Sequence, residues 1–366
     1  MSLEEGRISR FQLIMLMVGF IYGTSRIICP AGGAGHDAWI ANLIGIMEAL
    51  LIAWVFIALT NQFKDKTIVE INDLVYGRIL GKGISLIFIW YLFHLSALVL
   101  TNISRFFATE IYVATPKAVI LILFVAVCAS TVGRGIEVLA RCSVVLVALT
   151  LLVAINDMVL PIPTMDIKNL LPILDIPVGK LLWAAHGAAT YPFAQTVAFT
   201  MIFAFVNNHK GRYAPVATAI LIGGLGLTLL IVRNSLVLGP MESGYIYPSY
   251  MAVQMIDIGD ILSRLEVVVA VFFIFTGFLK VSVFLYGTVL GLSQVLNLRS
   301  YRPLIIPVGI LMIIFALTNV GSSVEMFSFA EKEYPIYAMP WELGIPLITL
   351  IVAKLRKLSQ TGGDKV

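Results

Sequence analysis

Long apolar runs recur along the whole 366-residue chain, separated by short polar stretches. A helix needs about 20 apolar residues to cross the hydrocarbon core of a membrane, and these runs have the right length. The pattern predicts an all-α polytopic membrane protein with ten transmembrane helices, at residues 10–32, 37–60, 83–112, 118–133, 136–157, 179–206, 213–238, 264–296, 303–321 and 338–354. Ten crossings leave no room for a soluble domain, so residues 1–366 are expected to form a single transmembrane domain.

Three polar positions or stretches between the spans carry a pattern of their own. Residues 61–82 are charged and amphipathic, which predicts a short helix along the cytoplasmic interface. Residues 239–264 combine Pro, Gly and aromatic residues with an amphipathic run. This stretch suits a lid over an outward-facing cavity and an ordinary extracellular loop equally well. Asp37, just before the second span, is predicted to be its N-cap.

Two spans are interrupted at matching places in the chain. Span one contains GTSR at residues 23–26, and span six contains HGAATYP at residues 186–192. Glycine weakens a helix and proline cannot donate a backbone hydrogen bond, so both helices are predicted to break near mid-membrane. Unpaired backbone persists in a membrane only where it is buried in protein or lines a polar cavity. Paired breaks therefore point to a substrate site in an inverted repeat, with halves at about 10–157 and 179–354.

Close helix packing is the alternative explanation for each interruption taken singly. Gly19 with Gly23, and Gly287 with Gly291, have the GxxxG spacing that lets two membrane helices approach closely. The matched placement of the two breaks, with polar residues beside each, favours a cavity over packing alone.

Composition and charge support the membrane assignment and give an orientation. Hydrophobic residues make up 59% of the chain and charged residues only 13%, against roughly 25% charged in soluble domains. Sixteen Lys and Arg residues fall on the side of both termini and six on the other, which predicts cytoplasmic termini. The N-terminal residues 1–12 contain acids and no small-residue cleavage site, so a removable signal peptide is not expected. The three cysteines lie in or beside apolar runs and are expected to be buried and unpaired.

Ionisable residues inside spans are costly, so each should face the protein interior and have a partner. Lys280 lies near the middle of span eight, and we expect its ammonium to reach the broken part of span one. A structural ion pair with Glu48 in span two is the alternative. Arg26 is interpreted as lining the cavity, with a carboxylate clamp or a pairing with an acid as alternatives. His94 and His186 could titrate near neutral pH or simply pack, and no metal-ligand spacing joins them.

Five segments resemble the B subunit of the spore germinant receptors, a branch of the amino acid-polyamine-organocation superfamily. They lie at residues 8–17, 34–45, 191–208, 258–266 and 278–298. The resemblance implies a LeuT-like fold, a 5+5 inverted repeat with broken helices 1 and 6, and residence in the inner spore membrane. It also implies partners, namely a larger A-type membrane subunit and a C-type lipoprotein subunit. In this family the B subunit senses a nutrient, typically an amino acid, and germination follows.

The site that the resemblance implies can be carried over residue by residue. It gives Tyr22, Gly23, Thr24 and Ser25 from span one, Gly187, Ala188, Ala189, Thr190 and Tyr191 from span six, and Lys280. Lys280 would supply the positive charge that sodium provides in sodium-coupled relatives of the fold. Arg26 and His94 are added from their positions in the spans. The family commonly has GTGI, an aliphatic residue and Pro at the first break, where residues 23–30 here read GTSRIICP, so Arg26 would crowd a small pocket.

A proton-coupled amino acid permease is the alternative function, since it would use the same pocket. The sequence contains no nucleotide loop, metal constellation or nucleophile-base arrangement, and no basic aromatic patch for nucleic acid. An enzyme is therefore not expected, and neither is a cofactor or a metal.

Overall fold

The computed structural model describes residues 3–25, 31–207, 213–255, 265–319 and 321–358, and these residues are mainly helical. The α-helices are α1 (Arg10–Tyr22), α2 (Ala38–Gln62), α3 (Ile68–Tyr76), α4 (Arg78–Phe106), α5 (Lys117–Gly133), α6 (Ile136–Val159), α7 (Val178–Ala188), α8 (Tyr213–Leu238), α9 (Pro248–Gln254), α10 (Leu265–Val295), α11 (Arg302–Thr318), α12 (Ser323–Ser328), α13 (Tyr334–Met339) and α14 (Ile345–Leu355). Arg26, Cys29 and the amphipathic end of the 239–264 stretch lie outside the described residues.

Within the described part of the chain, six helical stretches are long and apolar enough to cross a membrane. They are Gly32–Gln62, Arg78–Ile111, Ile136–Thr164, Tyr213–Glu242, Val267–Val295 and Val324–Leu355. Three shorter apolar helices, α1, α5 and α11, coincide with further predicted spans. The chain is therefore a multi-pass, all-helical membrane protein.

The interior of the protein is built around α1, α10 and the second half of span six. α1 packs against α6, α8 and α10, while α2 packs against α7 and α8. The segment Ala194–Met201 is a 3-10 helix, and all eight of its residues are buried. The hydroxyls of Thr196 and Thr200 donate to carbonyls three residues earlier, at 2.6 and 2.7 Å. The break in span six was predicted, but the 3-10 helix that follows it was not.

The tenth predicted span begins much earlier than its hydropathy indicates. Helical structure starts at Ser323, where Ser322 and Glu325 form a capping box, and continues to Leu355. Two π-helical turns, Phe329–Glu333 and Pro340–Gly344, lie within it. The predicted start at residue 338 was wrong because the charges at 331–333 resemble a loop, whereas the capping box and π-turns keep this stretch helical.

The polar stretches differ in how well they match their predictions. α3 confirms the predicted short helix in residues 61–82, and Thr67 begins it with a capping box to Glu70. Asp37 holds the N-cap position of α2, but its side chain makes no capping bond. Its Oδ1 instead accepts from the Leu174 N–H at 2.8 Å. The predicted N-cap position is therefore confirmed, but the side chain does not cap α2, since a 3-10 helix, Gly32–Asp37, runs directly into that helix.

The N-terminal arm, residues 3–9, closes one end of the helix bundle. Ile8 exchanges backbone hydrogen bonds with Phe205 and Asn207, both at 2.9 Å. Arg7 forms an ion pair with Asp65 at 3.2 Å and donates to the Ala204 carbonyl at 2.9 Å. These contacts join the start of span one to the end of span six.

Candidate functional site

The first break lies where α1 ends. Gly23 has φ +22° and ψ −120°. This conformation lies outside the α-helical region, and its positive φ favours glycine. The Gly23 carbonyl accepts a hydrogen bond from the Thr276 hydroxyl of α10 at 3.0 Å. Thr24 and Ser25 follow in a turn, and both are buried. The predicted interruption of span one is confirmed, and its exposed backbone is satisfied by the helix that carries Lys280.

The second break lies directly after α7. A π-helical turn, Ala189–Phe193, contains Tyr191 with φ −124° and ψ 111°, and the Tyr191–Pro192 peptide bond is cis. The Thr190 hydroxyl donates back to the His186 and Gly187 carbonyls, both at 3.1 Å. The predicted interruption of span six is therefore also confirmed.

A hydrogen bond joins the two breaks. The Tyr191 hydroxyl is bonded to the Thr24 hydroxyl and lies beside Ser25. Because these side chains come from different broken helices, the contact fixes the position of one break against the other. Tyr191 therefore lies at the centre of the candidate site.

Lys280 is fully buried beside both breaks. Its Nζ lies 4.8 Å from the centre of the Tyr191 ring and 5.1 Å from that of Phe20, within reach of a cation–π attraction. A Cβ at Gly23 would meet the Lys280 Cδ at 2.4 Å, so the side chain lies against the break of span one. Its Nζ has no hydrogen-bond partner among the described residues. An ammonium that lies against two rings and makes no hydrogen bond with the described residues is placed to meet an anionic group.

The proposed pair of Lys280 with Glu48 is not formed. Glu48 instead bonds the Nδ1 atom of His186 through its Oε1 at 2.6 Å, and this contact links α2 to α7. Glu48 and His186 face each other across neighbouring helices, which is why the carboxylate has a nearer partner than Lys280. His186 is thereby a packing partner of Glu48 in this structure.

Sequence reasoning missed a buried carboxyl group in the last helical segment. Glu342 is fully buried, and its Oε1 accepts from the Tyr91 hydroxyl at 2.6 Å and from that of Tyr334 at 3.4 Å. Gln195, from the second half of span six, donates to the Tyr334 oxygen at 2.6 Å. Lys280 and Glu342 also interact electrostatically. The insertion cost that singled out Lys280 applies equally to Glu342 inside residues 338–354, and that signal could have found it.

Two cavities lie beside the break of span six. The large cavity has a volume of about 570 Å³, and its wall includes Gly187, Tyr191 and much of residues 239–248. The small cavity has a volume of about 40 Å³ and lies between α4, the break and the last helical segment. Tyr191, Phe327 and Ala330 line both, so the two cavities adjoin. The described part of the 239–264 stretch thus lies where a lid would, over the approach to Tyr191.

Most of the predicted site residues are packed and line neither cavity. Ala188 and Ala189 lie against Gly45 of α2, where an added Cβ would come within 3.0 Å of either residue. The Tyr22 hydroxyl lies against Gly226 of α8. The others that line neither cavity are Gly23, Thr24, Ser25, Thr190 and Lys280. The structure therefore brings the residues of both breaks together, with Gly187 and Tyr191 facing open space and the rest closed behind Tyr191.

His94 belongs to a different cluster. Its Nδ1 lies 2.7 Å from the Tyr337 hydroxyl, and its ring packs on Trp90 and Phe315. It lines neither of the two cavities. The expectation that His94 joins the break residues is not met, because its side of α4 faces the aromatic residues of α11 and α13. Arg26, the other residue added from position, lies outside the described residues.

The site offers groups that are suited to binding. Among the described residues, no group of three or more His, Cys, Asp or Glu side chains could hold a metal ion. Cys128 and Cys142 are free thiols; Cys128 is buried, as expected, whereas Cys142 is only partly buried. A buried ammonium, a buried carboxyl, several phenols and main chain freed at two breaks are suited to recognising a small polar molecule.

Comparison with solved structures identifies the fold. The chain superposes on Mhp1, a nucleobase-cation-symport-1 family transporter in a closed conformation with bromovinylhydantoin bound, with a TM-score of 0.69 and 14% identity. The match covers 98% of this chain and 81% of that one. A manganese transporter from Eremococcus coleocola matches with a TM-score of 0.53 and 14% identity, over 94% of this chain and 84% of that one. The helices therefore have a LeuT-like transporter arrangement.

Comparison of sequences identifies the family. Spore germination protein KB of Bacillus subtilis (strain 168) is 31% identical over 360 residues, which are 97% of this chain and 96% of that protein. The putative spore germination protein YfkT of the same organism is 25% identical, over 89% of each chain. Spore germination protein XB of Bacillus anthracis is 22% identical, over 90% of this chain and 93% of that protein. Since the family model described as Spore germination protein also matches residues 7–323, the chain belongs to the spore germination protein family.

Proposed function

We propose that this chain is the nutrient-sensing subunit of a spore germinant receptor and binds a small molecule, such as an amino acid, between its two broken helices. The contact between Tyr191 and Thr24 carries the proposal, because it joins both breaks beside Lys280, whose ammonium makes no hydrogen bond with the described residues. A bound nutrient that displaces this contact would favour one arrangement of the breaks over another. Binding can bias such an equilibrium only through different affinities for the two arrangements.

The finer architecture belongs to the same proposal. Ten crossings would form two inverted five-helix halves, at about 10–157 and 179–354, with both termini in the cytoplasm. α1 packs on α8, and α2 packs on α7. If α1 and α2 correspond to α7 and α8 in the second half, these two contacts are equivalent, which supports the repeat. The site would lie in the inner spore membrane, with an A-type membrane subunit and a C-type lipoprotein subunit reading the change.

A proton-coupled amino acid permease is the second candidate. The transporters of similar fold favour it, as does the large cavity that leads to Tyr191. A transporter must carry its ligand across the bilayer, whereas a receptor subunit only needs to bind it.

Thermal stabilisation of the purified chain by a panel of amino acids, sugars and nucleosides tests the proposal, because a ligand that binds the folded state raises its melting temperature. We expect at least one amino acid to stabilise the chain and none to be accumulated by liposomes that contain it. Accumulation of the stabilising compound would favour the permease. Absence of stabilisation by every compound would contradict both candidates.

A further inference from the structure

The size and walls of the small cavity indicate the chemistry of the ligand, an inference that rests on the proposed function. Its walls are mostly apolar, with Leu95, Leu98 and Val99 of α4 on one side. A volume of about 40 Å³ has space for roughly three water-sized groups, at ~10–15 Å³ each. A branched aliphatic group of three or four heavy atoms fits such a space, whereas an aromatic ring does not.

Two amide groups give this apolar cavity a polar side. The Oε1 atom of Gln195 and the Oδ1 atom of Asn102 are buried and have no hydrogen-bond partner among the described residues. Gln195 is only 2% exposed. Both residues line the small cavity. A buried acceptor without a donor is costly, so two of them at one cavity indicate a donor that is supplied by a ligand.

The hydrogen bonds around Glu342 determine which end of the Gln195 amide is free. A tyrosine hydroxyl has one proton to donate. Tyr91 donates its proton to Glu342 at 2.6 Å, and Tyr334 has both Glu342 and the Tyr91 oxygen as acceptors. With its proton directed to one of these acceptors, the Tyr334 oxygen accepts from the Gln195 amide N–H at 2.6 Å. In this arrangement the amide oxygen, and not its nitrogen, is left for a ligand.

We propose that the small cavity receives the ammonium-bearing, aliphatic end of the ligand, with Gln195 Oε1 and Asn102 Oδ1 as the acceptors. The ligand class is then an aliphatic amine or α-amino acid of about the size of valine. A carboxylate on the same ligand would lie towards Tyr191, on the side of the unpartnered Lys280.

The test compares, on the purified full chain, three probes that share a branched aliphatic group. L-Valine has both charges, isobutylamine lacks the carboxylate and isovalerate lacks the ammonium. We expect valine and isobutylamine to raise the melting temperature and isovalerate to leave it unchanged. Stabilisation by isovalerate equal to that by isobutylamine would overturn the assignment.

Substitutions of the two acceptor residues provide the second part of the test. Gln195→Leu and Asn102→Leu should each weaken binding of isobutylamine roughly 10- to 100-fold, the range for losing a hydrogen bond to a charged group. Gln195→Glu keeps the acceptors and should retain binding. Asn156→Leu, at an exposed position of α6, is the matched control and should bind like the wild type.

The outcomes separate this inference from the proposed function. Unchanged affinity in both leucine variants overturns the small-cavity assignment alone, as does stabilisation of the wild type only by a sugar or a nucleoside. If none of the compounds stabilises the wild type, both ideas fail. Should Gln195→Leu not fold, Asn102→Leu and the comparison of the three probes on the wild type still decide.

Discussion

Single side chains decide how the two breaks are held. Thr24 is buried and Tyr191 half-buried, and a net hydrogen bond such as that between their hydroxyls contributes about 1 kcal/mol. Tyr191→Phe should therefore lower the free energy of unfolding by about that amount. In a double-mutant cycle Tyr191→Phe and Thr24→Val should not add, because each removes the same bond. Melting temperatures and denaturant titrations of the four proteins measure the coupling between the two substitutions. Simple additivity would contradict the hydrogen bond between Tyr191 and Thr24.

Substitution of Lys280 should affect the stability of the protein and its ligand binding in different ways. A buried ammonium without a hydrogen-bond partner costs free energy, so Lys280→Met should fold at least as stably as the wild type. The same variant should lose all stabilisation by a nutrient if Lys280 meets the ligand. Lys332→Met, at an exposed position, is the control and should respond normally. A fully responsive Lys280→Met protein would remove Lys280 from the site.

The residue scale also shows how far a sequence can indicate a site. Lys280, Thr24 and Tyr191 could be selected because polar or ionisable residues in an apolar span need a reason. Which of them meet could not be predicted, since hydrogen bonds between residues far apart in the chain depend on how helices rotate in packing. The pairing of Glu48 with His186 instead of Lys280 is one such result.

At the scale of the elements, the close packing of α2 on α7 holds the first half of span six in place. A Cβ at Gly45 would lie 2.7 Å from the Ala185 carbonyl oxygen and 2.9 Å from the Ala188 Cβ, so neither helix can yield locally. Gly45→Val should destabilise the protein by roughly 1–3 kcal/mol, as overpacking does. Thermal unfolding measures it.

Gly83, in α4, is the matched control for Gly45. An added Cβ there meets nothing within 4 Å. Gly83→Ala should be neutral or stabilise by about 0.5–1 kcal/mol, since alanine restricts the unfolded chain. Equal effects at the two positions would contradict the assigned contact.

The helical elements were largely predictable because apolar runs report burial in a membrane directly. The two breaks were also predictable, since glycine and proline act on the local backbone. The start of the last helical segment was not, because Ser322 and Glu325 cap a helix that continues through charged residues. The 3-10 winding of Ala194–Met201 has no simple signature, and it follows from the packing of that segment in the interior.

At the scale of the whole molecule, the two ends of the bundle differ. The N-terminal arm closes one end through Ile8 and Arg7, while the large cavity leads to Tyr191 from the side of residues 239–248. Tyr191 lines both cavities and lies against Lys280, so it separates the open space from the buried ammonium. This arrangement is that of a site open at one end and closed at the other.

The predicted orientation can be measured with single cysteines in a chain whose three native cysteines are replaced. Asp175→Cys lies in the connection between α6 and α7, and Arg134→Cys in that between α5 and α6. A membrane-impermeant maleimide added outside intact cells should label Asp175→Cys and not Arg134→Cys. The reverse pattern would place the termini outside.

The location of the nutrient site is the central claim, and the protection of a thiol at the second break tests it most directly. In the cysteine-replaced chain, Gly187→Cys places a thiol in the large cavity beside Tyr191, and Gly83→Cys places one on an exposed face of α4. A nutrient that stabilises the protein should slow labelling at residue 187 several-fold and leave residue 83 unchanged. Stabilisation by the nutrient with unchanged labelling at residue 187 would show that it binds elsewhere.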